Sequence, residues 1–169
     1  FEPVRLSVNI SAKTFEMQNF VPSLLDIVNK YEADPAQLQL EITERILIRN
    51  VDESIMKLQE LRSMGFKVAI DDFGIGYSSL SYIVRLPIDC IKIDKSFVQN
   101  IAVSKEAKTI VSTIITLCKT LNLHVIAEGI ENSMELEYLR GSDCDIGQGY
   151  YFSKPISMEE LEKKHLERR

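Results

Sequence analysis

Short apolar runs recur along the chain, and polar stretches with helical periodicity separate them. LSVNI (6–10), LQLEI (38–42), KVAI (67–70), CIKI (90–93), HVIA (124–127) and GYYF (149–152) are the six strand candidates. Most are too short for helices and rich in Val, Ile and Leu, as strands covered on both faces should be. Between them, residues 14–31 place Phe20, Leu24, Ile27 and Val28 at helical spacing. Residues 52–64 place Ile55, Leu58 and Leu61 on one face, with Gly65 as a C-terminal stop. A third helix is predicted over 104–121, capped by Ser104, and a capping-box spelling from Ser157 to Glu160 opens a final one.

Strands alternating with helices predict parallel βα units. At ~30 residues per unit, six strands fit this length, whereas an eight-stranded barrel takes roughly 250 residues. Two architectures remain open on this pattern: a doubly wound sheet, or a barrel whose first strands lie before Phe1. The chain opens on Phe1-Glu2-Pro3, without initiator Met or leader pattern, which predicts the interior of a longer polypeptide. No repeat beyond the βα rhythm is evident in the letters.

The polar residues fall at the ends of the apolar runs. Asn9 ends the first, Glu41 the second, and Asp71 with Asp72 the third. Lys92 interrupts the fourth shortly before Asp94; Glu128, with Glu131 close behind, ends the fifth. In parallel α/β folds the C-terminal edge of the sheet is where ligands bind. Any one of these residues is explained as a helix cap or an Asx turn. Together, Asn9, Glu41, Asp71, Asp72 and Glu128 would put four carboxylates and an amide oxygen on one rim, where they repel unless neutralised. Oxygen-only donors select hard cations, Mg²⁺, Mn²⁺ or Ca²⁺. Two ions sharing a carboxylate would form a phosphoester hydrolase site. Lys92 would hold or help deprotonate the attacking water, or balance the acids; its structural alternative is a lysine reaching out from a strand end.

Composition narrows the classes. The chain has 169 residues, 45% hydrophobic and 27% charged, enough for one domain with a sizeable core. A net charge of −5 places any phosphate affinity in a local site and argues against nucleic-acid polymers as partners. No apolar window approaches a membrane span, so no direct membrane contact is expected. The three cysteines, Cys90, Cys118 and Cys144, lack CxxC spacing and point to a reducing cytoplasm; His124 and His165 lack zinc-ligand spacing. Asp72-Phe73-Gly74 spells a kinase triplet without the kinase's other loops, and Gly74-Ile75-Gly76 lacks the third glycine of a dinucleotide fingerprint.

SVNIS, EITE, DDFGIGYSSL, IKIDKSFV, AEGIE and QGYYFSKP, in this order, closely resemble the EAL-domain family, over essentially the whole chain. The resemblance implies a modified TIM-type (β/α)8 barrel truncated at its N-terminus, with about six of eight βα units present. Residues 1–169 would be the C-terminal portion of a single EAL-type phosphodiesterase domain. It also implies metal-dependent hydrolysis of cyclic di-GMP to linear pGpG, with two Mg²⁺ or Mn²⁺ ions held by Asn9, Glu41, Asp71, Asp72 and Glu128. Lys92 and Glu131 fall on catalytic positions, and Gln148 and Asp94 on substrate-binding ones. Glu44 matches the glutamate that braces the loop from Phe73 to Leu80, a loop that links metal and substrate binding to dimerisation. A homodimer, a cytoplasmic location and fusion to upstream regulatory domains are implied as well.

The sequence departs from the family pattern in two places. Ile75 stands where the loop usually has threonine. The Glu-Ala-Leu segment that names the family, whose glutamate is a metal ligand in family members, is not among these 169 residues; in the family pattern it would fall before the position of Phe1. The 169 residues alone are therefore expected to show little or no activity and to oligomerise through an open sheet edge. The alternative is a degenerate EAL-type module that binds cyclic di-GMP or a protein partner without turnover.

Overall fold

The computed structural model of the protein describes residues 5–75 and 80–166. Six parallel strands form one sheet in chain order: β1 (Leu6–Asn9), β2 (Leu38–Thr43), β3 (Lys67–Phe73), β4 (Cys90–Ile93), β5 (His124–Ala127) and β6 (Ile146–Gly147). The strands neighbour one another strictly in chain order with no reversal, which makes the sheet a half-barrel rather than a doubly wound layer. One-turn helices α1 (Ala12–Phe15), α3 (Glu44–Leu47), α5 (Leu80–Ile83) and α6 (Lys95–Val98) follow the first four strands. Longer helices α2 (Phe20–Lys30), α4 (Val51–Ser63), α7 (Lys105–Thr120) and α8 (Ser133–Gly141) return the chain to the opposite end, and α9 (Met158–Leu166) comes last.

The predicted helix over 14–31 divides into α1 and α2. Pro22 is tolerated because it sits in the first turn of α2, where its missing N–H has no helical acceptor. Gly65 ends the α4 region with φ +99, as a C-terminal stop requires. Ser104 caps α7 through the Ala107 N–H, and Ser157 accepts from the Glu160 N–H at 3.2 Å at the start of α9. Helix α8 was not evident from periodicity, yet it carries the full capping box, Asn132 with Glu135. The sixth strand is a correction. It is two residues at 146–147, and 149–152 form a turn that exposes Tyr150, Tyr151 and Phe152.

The strands also differ from the expected two-sided apolar runs. Leu40, Ile42, Val68, Ile70, Ile91, Ile93, Val125 and Ala127 face the helices in one large core. The alternate residues, Gln39, Glu41, Lys67, Ala69, Cys90, Lys92, His124 and Ile126, line the concave face. Among the described residues, a small separate apolar cluster of Ala69, Cys90 and Ile126 lies there. The central strand β4 is buried on both faces, whereas β1 and β6 are exposed along their length. Cys90, Cys118 and Cys144 are free, and burial pushes the thiols of Cys90 and Cys118 up to about 12.

A repeat hidden in the letters emerges in three dimensions. The α4–β3 and α7–β5 segments match at a constant offset that pairs Leu61 with Cys118, Arg62 with Lys119, Lys67 with His124 and Val68 with Val125. Gly65 and Asn122, paired by the same offset, both have positive φ. In each segment an aspartate just before the following strand accepts from the valine's N–H, Asp89 from Val68 at 3.0 Å and Asp145 from Val125 at 2.9 Å. Each faces the basic residues at the matching positions: Asp89 is ion-paired to Arg62 and Lys67, and Asp145 is ion-paired to Lys119, with His124 Nδ1 at 3.9 Å.

Candidate metal and catalytic site

The acids gather at the C-terminal edge of the strands, and a β-bulge decides how. Ile70 pairs with Ile91 and Phe73 with Ile93, so β3 carries one residue more than β4 over that span. Asp72 takes up the extra residue at φ +53, with its N–H donating to Asp71 Oδ1 at 3.0 Å. The strand therefore continues through the aspartate pair instead of stopping there. The broken alternation lets adjacent side chains serve one place. Ligand oxygens of Asp71, Asp72 and Glu128 lie within 4.8 Å of one another.

Lys92 sits at the centre of this rim. Its Nζ donates to Glu41 Oε2, lies 2.6 Å from Glu128 Oε1 and 3.1 Å from Asp71 Oδ1, and its side chain is only 4% exposed. Burial alone would lower the ammonium's pKa, but the hydrogen bonds and charges of Glu128 and Glu41 outweigh it and hold it above the ordinary lysine value. Burial raises the Glu128 carboxyl, against the pull of Lys92 and with help from Asp71 and Glu41. Asp72 is raised by burial first, then by the charges of Asp71 and Asp94. Asn9 ends β1 in register with Glu41, which places it on the same edge, exposed.

The remaining expected residues occupy a second ring. Glu44 is buried at the start of α3 and accepts from the Gly74 N–H at 3.5 Å and from the Tyr82 hydroxyl. It thereby grips both sides of the segment 76–79, which lies outside the described residues and includes Gly76. Gly74 turns the chain at φ +98, and Ile75 is exposed. Asp94 is buried and caps α6 through the Ser96 N–H at 2.8 Å. Glu131 is exposed, takes a hydrogen bond from Gln99 Nε2 at 2.9 Å, and its own N–H donates to Glu135 Oε2 at 2.7 Å. Gln148 is exposed beside it, its backbone bonded to Ala127 and Ile130. Tyr82 and Glu135 position Glu44 and Glu131, and sequence reasoning missed both. The Asn132–Glu135 spelling was the available signal for the second; nothing in the letters pointed to the first.

The donor set is carboxylate and amide oxygen, which suits a hard divalent cation rather than zinc or copper. Among the described residues, no helix is long and apolar enough to cross a membrane.

A half-barrel of parallel strands with an acidic rim at its C-terminal edge agrees with what the chain resembles. The family model for the EAL domain matches residues 1–155, and the chain belongs to that family. It is 38% identical over 162 residues to the cyclic di-GMP phosphodiesterase NbdA of Pseudomonas aeruginosa, covering 96% of this chain and 21% of that protein. The PaMucR phosphodiesterase in its c-di-GMP complex superposes with a TM-score of 0.90 at 38% identity, over 93% of this chain and 64% of that one. The manganese/cyclic-diGMP complex of Klebsiella pneumoniae BlrP1 gives 0.82 at 34% identity, over 91% of this chain and 39% of that one. The chain thus spans about a fifth of the length of the curated relatives it matches.

Proposed function

We propose that this chain is the C-terminal portion of a single EAL-type domain, and that the complete domain hydrolyses cyclic di-GMP to linear pGpG with Mg²⁺ or Mn²⁺. The observation that carries this reading is the convergence of Asp71, Asp72 and Glu128 around one point beside the buried ammonium of Lys92. Relatives named as cyclic di-GMP phosphodiesterases, and a neighbour holding manganese with the dinucleotide, support it.

Asp71, Asp72 and Glu128, with Glu41 and Asn9 on the same edge, would hold the cations, two ions in the reading that the resemblance suggests. A bound divalent ion supplies a water of lowered pKa and neutralises charge on the phosphoryl oxygens. Lys92, an ammonium surrounded by three carboxylates, is a donor rather than a base. It orients the attacking water and offsets negative charge at phosphorus as the P–O bond breaks. Glu131, exposed, would serve the chemistry, and Gln148, exposed beside it, would bind the nucleotide. Asp94, which caps α6 through the Ser96 N–H, would contribute to substrate binding, as the resemblance suggests. Glu44, through Gly74 and Tyr82, holds the loop that follows the metal-binding pair. Homodimer formation and fusion to upstream regulatory domains belong to the same reading.

The test is chromatography of cyclic di-GMP incubated with the complete protein and Mn²⁺. Conversion to pGpG that stops in Glu41→Gln supports the enzyme. Tight binding of cyclic di-GMP without conversion, at saturating Mn²⁺, would establish a receptor instead.

A further inference from the structure

Lys92 and the expected cation draw on the same oxygens. Lys92 Nζ lies 3.1 Å from Asp71 Oδ1 and 2.6 Å from Glu128 Oε1. Asp71 and Glu128 are also two of the three residues whose ligand atoms come within 4.8 Å of one another. The third partner of the ammonium, Glu41, is buried with it. Lys92 is held from behind: it stands mid-strand in β4, between β3 and β5, and its neighbours Ile91 and Ile93 are fully buried in the helix-facing core. Its backbone is therefore rigid. Four carboxylates crowded on one rim repel unless something positive stands among them. The strand itself delivers that charge.

We propose that Lys92 is the resident cation of the site, holding Glu41, Asp71 and Glu128 in place when no ion is bound and competing with a divalent ion for the oxygens of Asp71 and Glu128 when one enters. This rests on the metal site proposed above and goes beyond it, because it gives Lys92 a positioning role that precedes any chemistry. The role has a signature of opposite signs. Removing the ammonium destabilises the metal-free protein, since the acids lose their counter-charge, and it strengthens metal binding, since the ion no longer shares its ligands. A lysine that only fills space gives no gain in metal affinity on removal.

The experiment compares wild type with Lys92→Met, which keeps an unbranched side chain without the charge. Each is melted in EDTA and titrated with Mn²⁺ by calorimetry. The variant is expected to melt lower in EDTA and to bind Mn²⁺ on the order of 10-fold more tightly, as coupled sites do. It should also show a larger rise in melting temperature at equal free Mn²⁺. Equal or weaker Mn²⁺ binding by the variant overturns the proposal and leaves the metal reading standing. Binding by neither protein overturns both. A measurement on wild type alone removes dependence on the variant's folding. The Lys92 Nζ resonance should shift on Mg²⁺ addition, together with the Asp71 and Glu128 carboxylate carbons. Movement of the carboxylates with Nζ unchanged overturns the proposal as well.

Discussion

The carboxylate of Asp145 accepts the backbone N–H of Val125 at 2.9 Å, tying the start of β6 to the base of β5. Asp89 does the same for Val68 at 3.0 Å, so the two units of the fold close their sheet by one device at its N-terminal end. The acidic rim and Lys92 occupy the other end, the division that parallel barrels commonly make between stability and ligand binding.

Asp145→Ala leaves the N–H of fully buried Val125 without this acceptor. The expected loss is about 1–3 kcal/mol of folding free energy, read as a lower urea midpoint with an unchanged slope. Cyclic di-GMP turnover by the complete protein, corrected for folded fraction, should stay at the wild-type level. An unchanged midpoint would show that the carboxylate is not closing the sheet.

The contribution of Asp145 has a defined pH dependence. Burial raises its carboxyl, but the hydrogen bonds from Lys119 and from the Val125 N–H outweigh this and leave it below the ordinary value. A depressed carboxyl contributes its stability above its unfolded pKa, about 3.9 for aspartate, and loses it as pH falls through the folded value. Glu128 and Asp72, both raised, act in the opposite sense, contributing most below their unfolded values and losing that as pH rises through the raised ones. The wild-type advantage over Asp145→Ala should thus shrink as pH falls through and below about 4. Parallel stability curves through that range would contradict the charged role of Asp145.

Gly129 adjoins Glu128 at φ +71, and a Cβ added there would sit 2.4 Å from Lys95 Cβ at the start of α6. Gly129→Ala should cost about 2 kcal/mol or more, from backbone strain and displacement of α6 together. The measurement is the denaturation midpoint. A cost below roughly 0.5 kcal/mol, the range of neutral surface changes, would mean that this close approach is not kept in solution.

Much of this was legible in the letters, and the misses have physical causes. The first five strands announced themselves because β-branched runs end on polar residues, and the same endings exposed Asn9, Glu41, Asp71, Asp72, Lys92 and Glu128 as one rim. GYYF (149–152) suggested a strand by composition, but β6 pairs only through Ile146 and Gly147, and the aromatic residues turn outward. The helix over 133–141 has a mixed face and hid from periodicity, although its cap was spelled out. The bulge at Asp72 could not be read at all, because it exists only in the register between β3 and β4. The grip of Lys92 on three acids from three different strand ends is likewise a property of the assembled sheet.

The most direct measurement is cyclic di-GMP turnover by the complete protein beside its Asp71→Asn variant, each with Mn²⁺ and with EDTA. Asp71 joins the carboxylate cluster and touches Lys92, so its loss should lower turnover by roughly 100-fold or more, as removal of a metal-holding group does. EDTA should abolish wild-type turnover, and Mn²⁺ should restore it. Undiminished turnover by Asp71→Asn, or by wild type in EDTA, would contradict a metal-dependent site at this rim.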